Sequence, residues 1–468
     1  MSLISELVAL LGEERVRHHP LDLAVFAKDS GVTSGPVVAA VLPETAAEVA
    51  SCVNLAVAHG VPIVPRGAGT GLAGGAVPVE PGLLIVLTRM GGIHEVDEIG
   101  RTAWVGPGLI NLDLSTSLAS RGLHFAPDPS SQQASTIGGN VGTNAGGPHC
   151  LADGTTIAHI LAAELVTADG DIVIVGSGAP DLPGLDLRSV VVGSEGTLGI
   201  VTRVLVRLMQ NPPDAATLLI GFRTIEDAAA TVSQIIASGT IPAALEMMDR
   251  PMIEAVEAFV HAGYPTDVAA VLLAEVTGTG QSVADATALV ESIAEAHNAA
   301  LIRVATDSDE RALLWKGRKS AFGAVSQKAP DYYLHDTVVP RTRLVEVLAQ
   351  IYEIGERHGV EMLNVFHAGD GNLHPLVAFD ANEPGMIERV RAAADEMVRV
   401  SIKAGGTLSG EHGIGIEKRD LMPLVFNEAD LDAQARIRDA FDPQRIMNPG
   451  KVLPSGSRCF DASGARLP

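Results

Sequence analysis

Two histidines, His367 and His374, flank the run Ala-Gly-Asp-Gly-Asn-Leu. If Asp370-Gly371 forms a two-residue type I′ turn, the flanking strands pair 369 with 372, 368 with 373 and 367 with 374. The two imidazoles then stand directly opposite each other on one face, with Cβ atoms about 4.5–5.5 Å apart. At that separation they can share a divalent ion. A third ligand is available in Ser409-Gly410-Glu411-His412-Gly413, where a carboxylate and a further imidazole sit in a glycine-flanked loop. Two histidines and one carboxylate leave coordination positions open, as a catalytic metal requires. One such hairpin could equally turn its histidines to solvent, but the second cluster favours the metal. Zn²⁺, Mn²⁺ and Fe²⁺ all suit this donor set.

A second kind of chemistry lies in the glycines. Pro65-Arg66-Gly67-Ala68-Gly69-Thr70-Gly71-Leu72-Ala73-Gly74-Gly75 contains a literal GxGxxG directly after a strand-like run. A nicotinamide-dinucleotide fingerprint must open a helix inside a βαβ unit of roughly 30 residues. Here Pro78, Pro81 and Gly82 separate Gly75 from the next apolar run, so no helix fits. The loop can instead turn backbone N–H groups toward an anion, with Arg66 as a fixed cation. Ser135-Thr136-Ile137-Gly138-Gly139-Asn140-Val141-Gly142-Thr143-Asn144-Ala145-Gly146-Gly147 and the 193–202 segment are similar. Three separated glycine loops in one half of the chain suggest a ligand as long as a dinucleotide.

These groups need a scaffold. The first half alternates short helices with β-rich runs: Thr45-x-x-Glu48 is a capping box for a helix that ends before Gly60. Asn211-Pro212-Pro213-Asp214 reads as a rigid, turn-prone domain boundary. Beyond it, helices at 225–238, 344–358 and 386–403 alternate with strands, which suggests an α+β domain with its helices on one face of the sheet. The expected organisation is a first domain at 1–212, a second carrying the metal site at 213–430, and a last segment at 431–468 that returns to the first.

The composition excludes several function classes. A formal charge of -23 over 468 residues argues against nucleic acid or an anionic membrane surface as direct partner. Cys52, Cys150 and Cys459 form no CxxC pair, so no iron–sulfur cluster, zinc ribbon or disulfide framework is readable, and a reducing cytoplasm fits best. The N-terminus lacks the pattern of a signal peptide, and no apolar run approaches the ~20 residues that span a bilayer. Direct membrane insertion is therefore not expected.

At the three glycine loops, the His367/His374 hairpin, 409–415 and Asn448-Pro449-Gly450-Lys451, the chain resembles the vanillyl-alcohol-oxidase-type FAD flavoproteins. The likeness covers nearly the whole chain and is nearest to the family of glycolate oxidase FAD subunits and D-lactate dehydrogenases, the D-2-hydroxy-acid branch. It implies an FAD-binding domain of two α+β subdomains followed by an α+β cap domain with an antiparallel sheet. Carried over by motif, Pro65, Arg66, Gly67, Ala68, Gly69, Thr70 and Gly71 meet the flavin. So do Asp128, Ser135, Thr136, Gly138, Gly139, Asn140 and Thr143, then Glu195, Gly196, Gly199, Ile200 and Asn448. Thr70 stands where some relatives attach FAD through histidine, which implies non-covalent FAD. His367, His374 and Glu411 become the metal ligands, His412 the catalytic base, and Arg318 the grip on a substrate carboxylate. In relatives acting on 2-hydroxyglutarate, an asparagine and a lysine align with Leu376 and Leu334, so a small monocarboxylate is expected here.

The resemblance therefore implies metal-assisted oxidation of glycolate or D-lactate to the 2-oxo acid, with hydride passing to flavin N5. Electrons must then leave to a quinone, oxygen or a partner. The family favours partner subunits that include an iron–sulfur protein, in a complex peripheral to the inner membrane. A stand-alone D-lactate dehydrogenase shares every motif. A non-redox flavin enzyme of the ether-lipid-synthase type, or a non-catalytic flavoprotein subunit, shares only the flavin loops' rationale.

Overall fold

The computed structural model describes residues 1–179 and 183–455; Cys459 lies outside them. The chain forms two compact units. The first contains Met1–Gly146, Thr155–Asn211 and the described part of the chain from Glu411 onward; the second contains Gly147–Gly154 and Pro212–Gly410.

In the first unit, one sheet runs Val16–Arg17, Val37–Val41, Gly82–Val86, Ile63–Arg66, with the last three strands parallel. Parallel strands covered on both faces read as unbroken apolar runs, and every residue of Gly82–Val86 is buried. The Ala46–Ala58 helix that packs here starts as expected: Thr45 Oγ1 accepts the Glu48 N–H at 3.2 Å. The Glu48 carboxylate does not close the box on Thr45. It accepts the Glu44 N–H at 2.7 Å and both Arg15 guanidinium arms at 2.9 and 3.0 Å. A second, antiparallel sheet runs Ile93–Asp97, Thr102–Val105, Ile200–Arg207, Ile160–Val166, Ile172–Gly176. Its inner face packs on Leu114 and Leu118 of the Asn111–Leu118 helix and on Ile137 and Val141.

The second unit is built on one eight-stranded sheet whose strand pairs are all antiparallel. The order is Ala299–Val304, Asp214–Phe222, Ala270–Gly278, Ala244–Asp249, Glu361–His367, Asn372–Phe379, Asp331–Leu334, with Thr337–Val338 also paired to Asn372–Phe379. Helices cover both faces, not one. Ile225–Ala237, Gly280–Ala296, Leu344–His358 and Met386–Lys403 pack on Leu218, Leu272, Met247, Phe366 and Val377. Arg250–Val260, Ser308–Lys319 and Ala321–Ala324 pack on Leu219, Leu273, Met248, Val365 and Leu376. All six residues of Ala244–Asp249 and all eight of Asn372–Phe379 are buried, so neither face meets water.

The sequence placed the return to the first domain at 431; the chain crosses at 410. Thr407 still pairs with Val338 of the second unit, whereas the N–H groups of Ile416 and Glu417 donate to Ala73 O of the first, at 2.8 and 3.2 Å. The 147–154 segment also departs from expectation by belonging to the second unit.

Candidate metal centre and flavin loops

In the second unit, side chains alternate across the pleat, so the face that carries Leu363, Val365, Leu376 and Ala378 also carries His367 and His374. Their hairpin is looser than the two-residue turn expected. His367 pairs with Asn372 and Val365 with His374, leaving a four-residue loop at 368–371. His367 O accepts the N–H of both Asp370 and Gly371, at 3.2 and 3.1 Å, and Gly371 has φ +76°. The register thus moves by two residues. An even shift keeps both histidines on one face, now as diagonal neighbours, and their rings lie 5.0 Å apart at 88°.

The row across the sheet adds a group that the sequence reading missed. Glu246 pairs directly with His367, and its two carboxylate oxygens lie 2.8 and 2.9 Å from His367 Nδ1. A carboxylate only accepts, so Nδ1 carries a proton, and in the neutral ring Nε2 then presents its lone pair. The 3.5 Å approach of Arg318 Nη2 to the same Nδ1 is then a contact between two donors, and the shorter carboxylate contact sets the tautomer. A lone glutamate inside the run Ala-Leu-Glu-Met-Met-Asp was the available signal.

Above this row lies the Ser308–Lys319 helix. Arg311, Trp315 and Arg318, at i, i+4 and i+7, share one stripe. Arg318 is 1% exposed, and its Nη2 lies 2.5 Å from Glu246 Oε2. Its Nε and Nη1 have no hydrogen-bond partner among the described residues. Buried polar atoms are normally paired, so this guanidinium is suited to an anionic ligand. Arg311 and Trp315 instead converge on Glu275, which accepts from Arg311 at 3.0 and 2.7 Å, Trp315 Nε1 at 2.5 Å and Thr217 Oγ1 at 2.6 Å. His149 stacks on Trp315 at 5.5 Å with its Nε2 3.5 Å from Glu275, which ties the 147–154 segment to this unit.

Burial alone would raise the Glu275 carboxyl, but donors from His149, Arg311 and Thr217 outweigh it and hold the group well below the usual range. A depressed folded pKa stabilises above the unfolded value and is lost as pH falls. Glu275→Gln is therefore expected to lower the melting temperature at pH 7. The gap should narrow as pH drops below the unfolded carboxyl's ~4.3. Melting curves of both proteins across pH 3.5–8 would check this, about half a dozen points sufficing to define the trend.

Asp336, fully buried, accepts from Ser409 Oγ at 2.5 Å and from the Gly410 N–H at 3.0 Å. A Cβ on Gly410 would collide with the Asn372 side chain, so this backbone lies against the residue paired with His367. Glu411 and His412 follow directly and open the segment of the first unit, with His412 Nε2 3.7 Å from Glu411 Oε1.

In the first unit, the 65–75 loop contains no helix, and Ile137–Thr143 forms a short helix capped by Thr136 rather than open loop. The approach is close: a Cβ on Gly67 would strike Thr136 Oγ1. Gly71 and Gly142 are different. Neither has a positive φ, and a Cβ would meet nothing nearer than 3.8 Å at Gly71 and nothing within 4 Å at Gly142. Packing within the protein does not require glycine at either position. Ser135, Thr136 and Asn140 are buried, with Asn140 Oδ1 accepting from Asn111 at 3.0 Å. Gly138 packs on Pro107, Gly196 on Pro65, and Gly199 on Val166, just before Ile200 opens its strand. Gly139, Thr143, Ala68, Gly69 and Thr70 lie on these same loops, and Asp128 lies in the irregular stretch ahead of them.

Three of the polar candidates have their side chains committed inside the protein. Arg66 donates to Lys28 O at 2.9 Å and Ala76 O at 3.3 Å, and burial lowers its pKa. It braces the loop through these carbonyls. The Glu195 carboxylate accepts the N–H groups of Ile414 (2.7 Å) and Gly415 (2.9 and 3.0 Å), and burial raises its pKa. Asn448 Nδ2 donates to Gly75 O and Glu195 O at 2.9 and 2.6 Å. Lys451 Nζ donates to Val77 O at 2.5 Å and is pushed by burial down to about 8.

Residues 211–452 match the FAD linked oxidases, C-terminal domain family, and residues 37–176 match the FAD binding domain family. The chain belongs to the FAD-linked oxidase family. It is 46% identical to the glycolate oxidase subunit GlcD of Escherichia coli (strain K12), over 90% of this chain and 84% of that one. It is 39% identical to the Bacillus subtilis GlcD, over 90% of each chain. The D-lactate dehydrogenase of Archaeoglobus fulgidus is 32% identical, over 88% of this chain and 90% of that one. Among solved structures, p-cresol methylhydroxylase with substrate bound superposes with TM-score 0.82 at 18% identity, covering 97% of both chains. Alkyldihydroxyacetonephosphate synthase gives 0.75 at 19%, covering 96% of this chain and 84% of that one. These two show the fold, the two-subdomain FAD domain with its cap that the sequence implied. This FAD-linked oxidase carries FAD as its redox group. Among the described residues, no helix is long and apolar enough to cross a membrane.

Proposed function

We propose that this FAD-linked oxidase converts a small 2-hydroxy acid, glycolate or D-lactate, to the 2-oxo acid at a site completed by a divalent ion on His367, His374 and Glu411. The observation that carries the reading is the buried histidine pair, with Nδ1 of one imidazole fixed by Glu246, beside an arginine with uncommitted donors. Asp336, which holds the backbone immediately before Glu411, supports that residue as third ligand. When bound, the flavin supplies a hydride acceptor and the ion a Lewis acid. Arg318 holds the substrate carboxylate through Nε and Nη1, charge-assisted and shielded from water. An imidazole nitrogen of His412 takes the proton from the hydroxyl oxygen. Leu334 and Leu376 pair directly across adjacent strands, and two apolar side chains there favour a monocarboxylate over a longer diacid.

The GlcD relatives are named as subunits, which supports partner proteins as the route for electrons; we propose that one is an iron–sulfur protein and that the partners link the chain to the inner membrane. The described residues offer no cysteine cluster of their own: Cys52 is buried in the Ala46–Ala58 helix and Cys150 lies in the 147–154 segment. A stand-alone D-lactate dehydrogenase is the second reading, supported by the Archaeoglobus relative. Anaerobic titration of the purified flavoprotein with glycolate, D-lactate and L-lactate tests the proposal. The flavin absorbance should bleach with glycolate or D-lactate and return on reoxidation. A flavin that stays oxidised with all three acids would sink the reading.

A further inference from the structure

Glu246 serves neither unit's hydrophobic packing and is absent from the metal-ligand and substrate-binding sets above, yet it is 1% exposed in the middle of the sheet. Burying a carboxylate is costly unless it is paired. Its partners are His367 Nδ1, at 2.8 and 2.9 Å from its two oxygens, and Arg318 Nη2, at 2.5 Å from Oε2. One carboxylate therefore joins the imidazole that would hold the ion to the guanidinium that would hold the substrate.

We infer that Glu246 is a positioning residue that locks His367 as the Nδ1–H tautomer, aims its Nε2 at the ion, and fixes Arg318 in the same hydrogen-bonded unit. The inference rests on the metal-site reading. Its logic is local. The Glu246 and His367 backbones are directly paired neighbours, so the side chains leave the sheet side by side and the carboxylate reaches only the near ring nitrogen. A neutral imidazole that donates from Nδ1 must accept, or ligate, at Nε2. An ionised outer partner also raises the basicity of the ligating nitrogen, and loss of such partners elsewhere typically lowers metal affinity about 10–100-fold. The same carboxylate engages one Arg318 nitrogen, which favours one orientation of the guanidinium and of its remaining donors.

The test uses the full-length flavoprotein, stripped of metal by chelator and titrated with Mn²⁺ and with Co²⁺. Glu246→Gln keeps the shape, but its amide cannot accept from both His367 and Arg318. Glu246→Asp keeps the charge but is one methylene too short to reach both. Both variants should retain bound FAD and show Mn²⁺ affinity about 10–100-fold weaker than the parent. The Co²⁺ visible spectrum should also change, since it reports ligand geometry. Asp249→Asn serves as the control. Asp249 is the other buried carboxylate of the same strand, held by Tyr352 (2.7 Å) and Asn364 (2.8 and 2.9 Å). It should lower the melting temperature and leave metal affinity unchanged. Parent-like affinity and Co²⁺ spectrum in either folded Glu246 variant would overturn the positioning role. A parent protein that binds neither ion would overturn the metal reading itself and this inference with it.

Discussion

Replacing His412 by alanine is expected to leave a yellow, FAD-loaded protein whose flavin is reduced by substrate about 10²–10⁴-fold more slowly, the usual worth of a positioned general base. The loop that carries His412 is held on both sides by other residues. Upstream, Asp336 holds Ser409 and Gly410; downstream, Glu195 accepts the N–H groups of Ile414 and Gly415. Gly413 between them has φ +83°, and a Cβ there would press on the Glu195 carboxylate at 2.8 Å. None of these contacts uses the imidazole, so the loop keeps these anchors when the side chain is truncated. Anaerobic stopped-flow bleaching at saturating glycolate or D-lactate separates the chemical step from binding. A variant that bleaches at the parent rate would remove His412 from the reaction and leave the proton to another group.

Most of the scaffold was legible because local rules acted without competition. The Leu344–His358 and Met386–Lys403 helices stand where apolar spacing put them, and Thr224 caps Ile225–Ala237 through the Asp227 N–H at 3.1 Å. The misreadings came where a distant partner overrode a local preference. Glu48 abandoned its capping box for Arg15. The Asp370-Gly371 pair was read as a tight turn, but the loop opened to four residues, with Gly371 in the left-handed region. Helices were expected on one face only, whereas central strands buried along their whole length are covered on both.

At the site, residues with motif-like spacing were visible, whereas their supports were not. His367 and His374 announce themselves seven residues apart; Glu246 lies 121 residues from His367 in sequence, and only the strand pairing brings them together. Glu275 is the same case, meeting Arg311 across 36 residues. Arg66 and Glu195 were visible from their motifs, and each side chain also hydrogen-bonds the protein's own backbone across a long sequence separation. A glycine loop close enough to a cofactor to present N–H groups cannot hold its own shape through side chains, so neighbouring charged residues must do it from behind.

Arg318→Met is expected to be the most damaging single change in the second unit, losing substrate binding and about 3–5 kcal/mol of stability together. The stability loss follows from burial: Arg318 and Glu246 are each 1% exposed, so removing the cation leaves a carboxylate inside the protein with only His367 to offset it. Pairing the change with Glu246→Gln removes that uncompensated charge. The double variant should therefore be more stable than the sum of the two single changes predicts, by about 1–3 kcal/mol in a denaturant-based cycle. Activity should not follow stability. The double variant still lacks the guanidinium, so glycolate or D-lactate should fail to reduce its flavin at concentrations that saturate the parent. Additivity of the two substitutions within about 0.5 kcal/mol would show that Glu246 and Arg318 are not energetically coupled. Recovery of substrate-driven bleaching in the double variant would show that the carboxylate is gripped elsewhere.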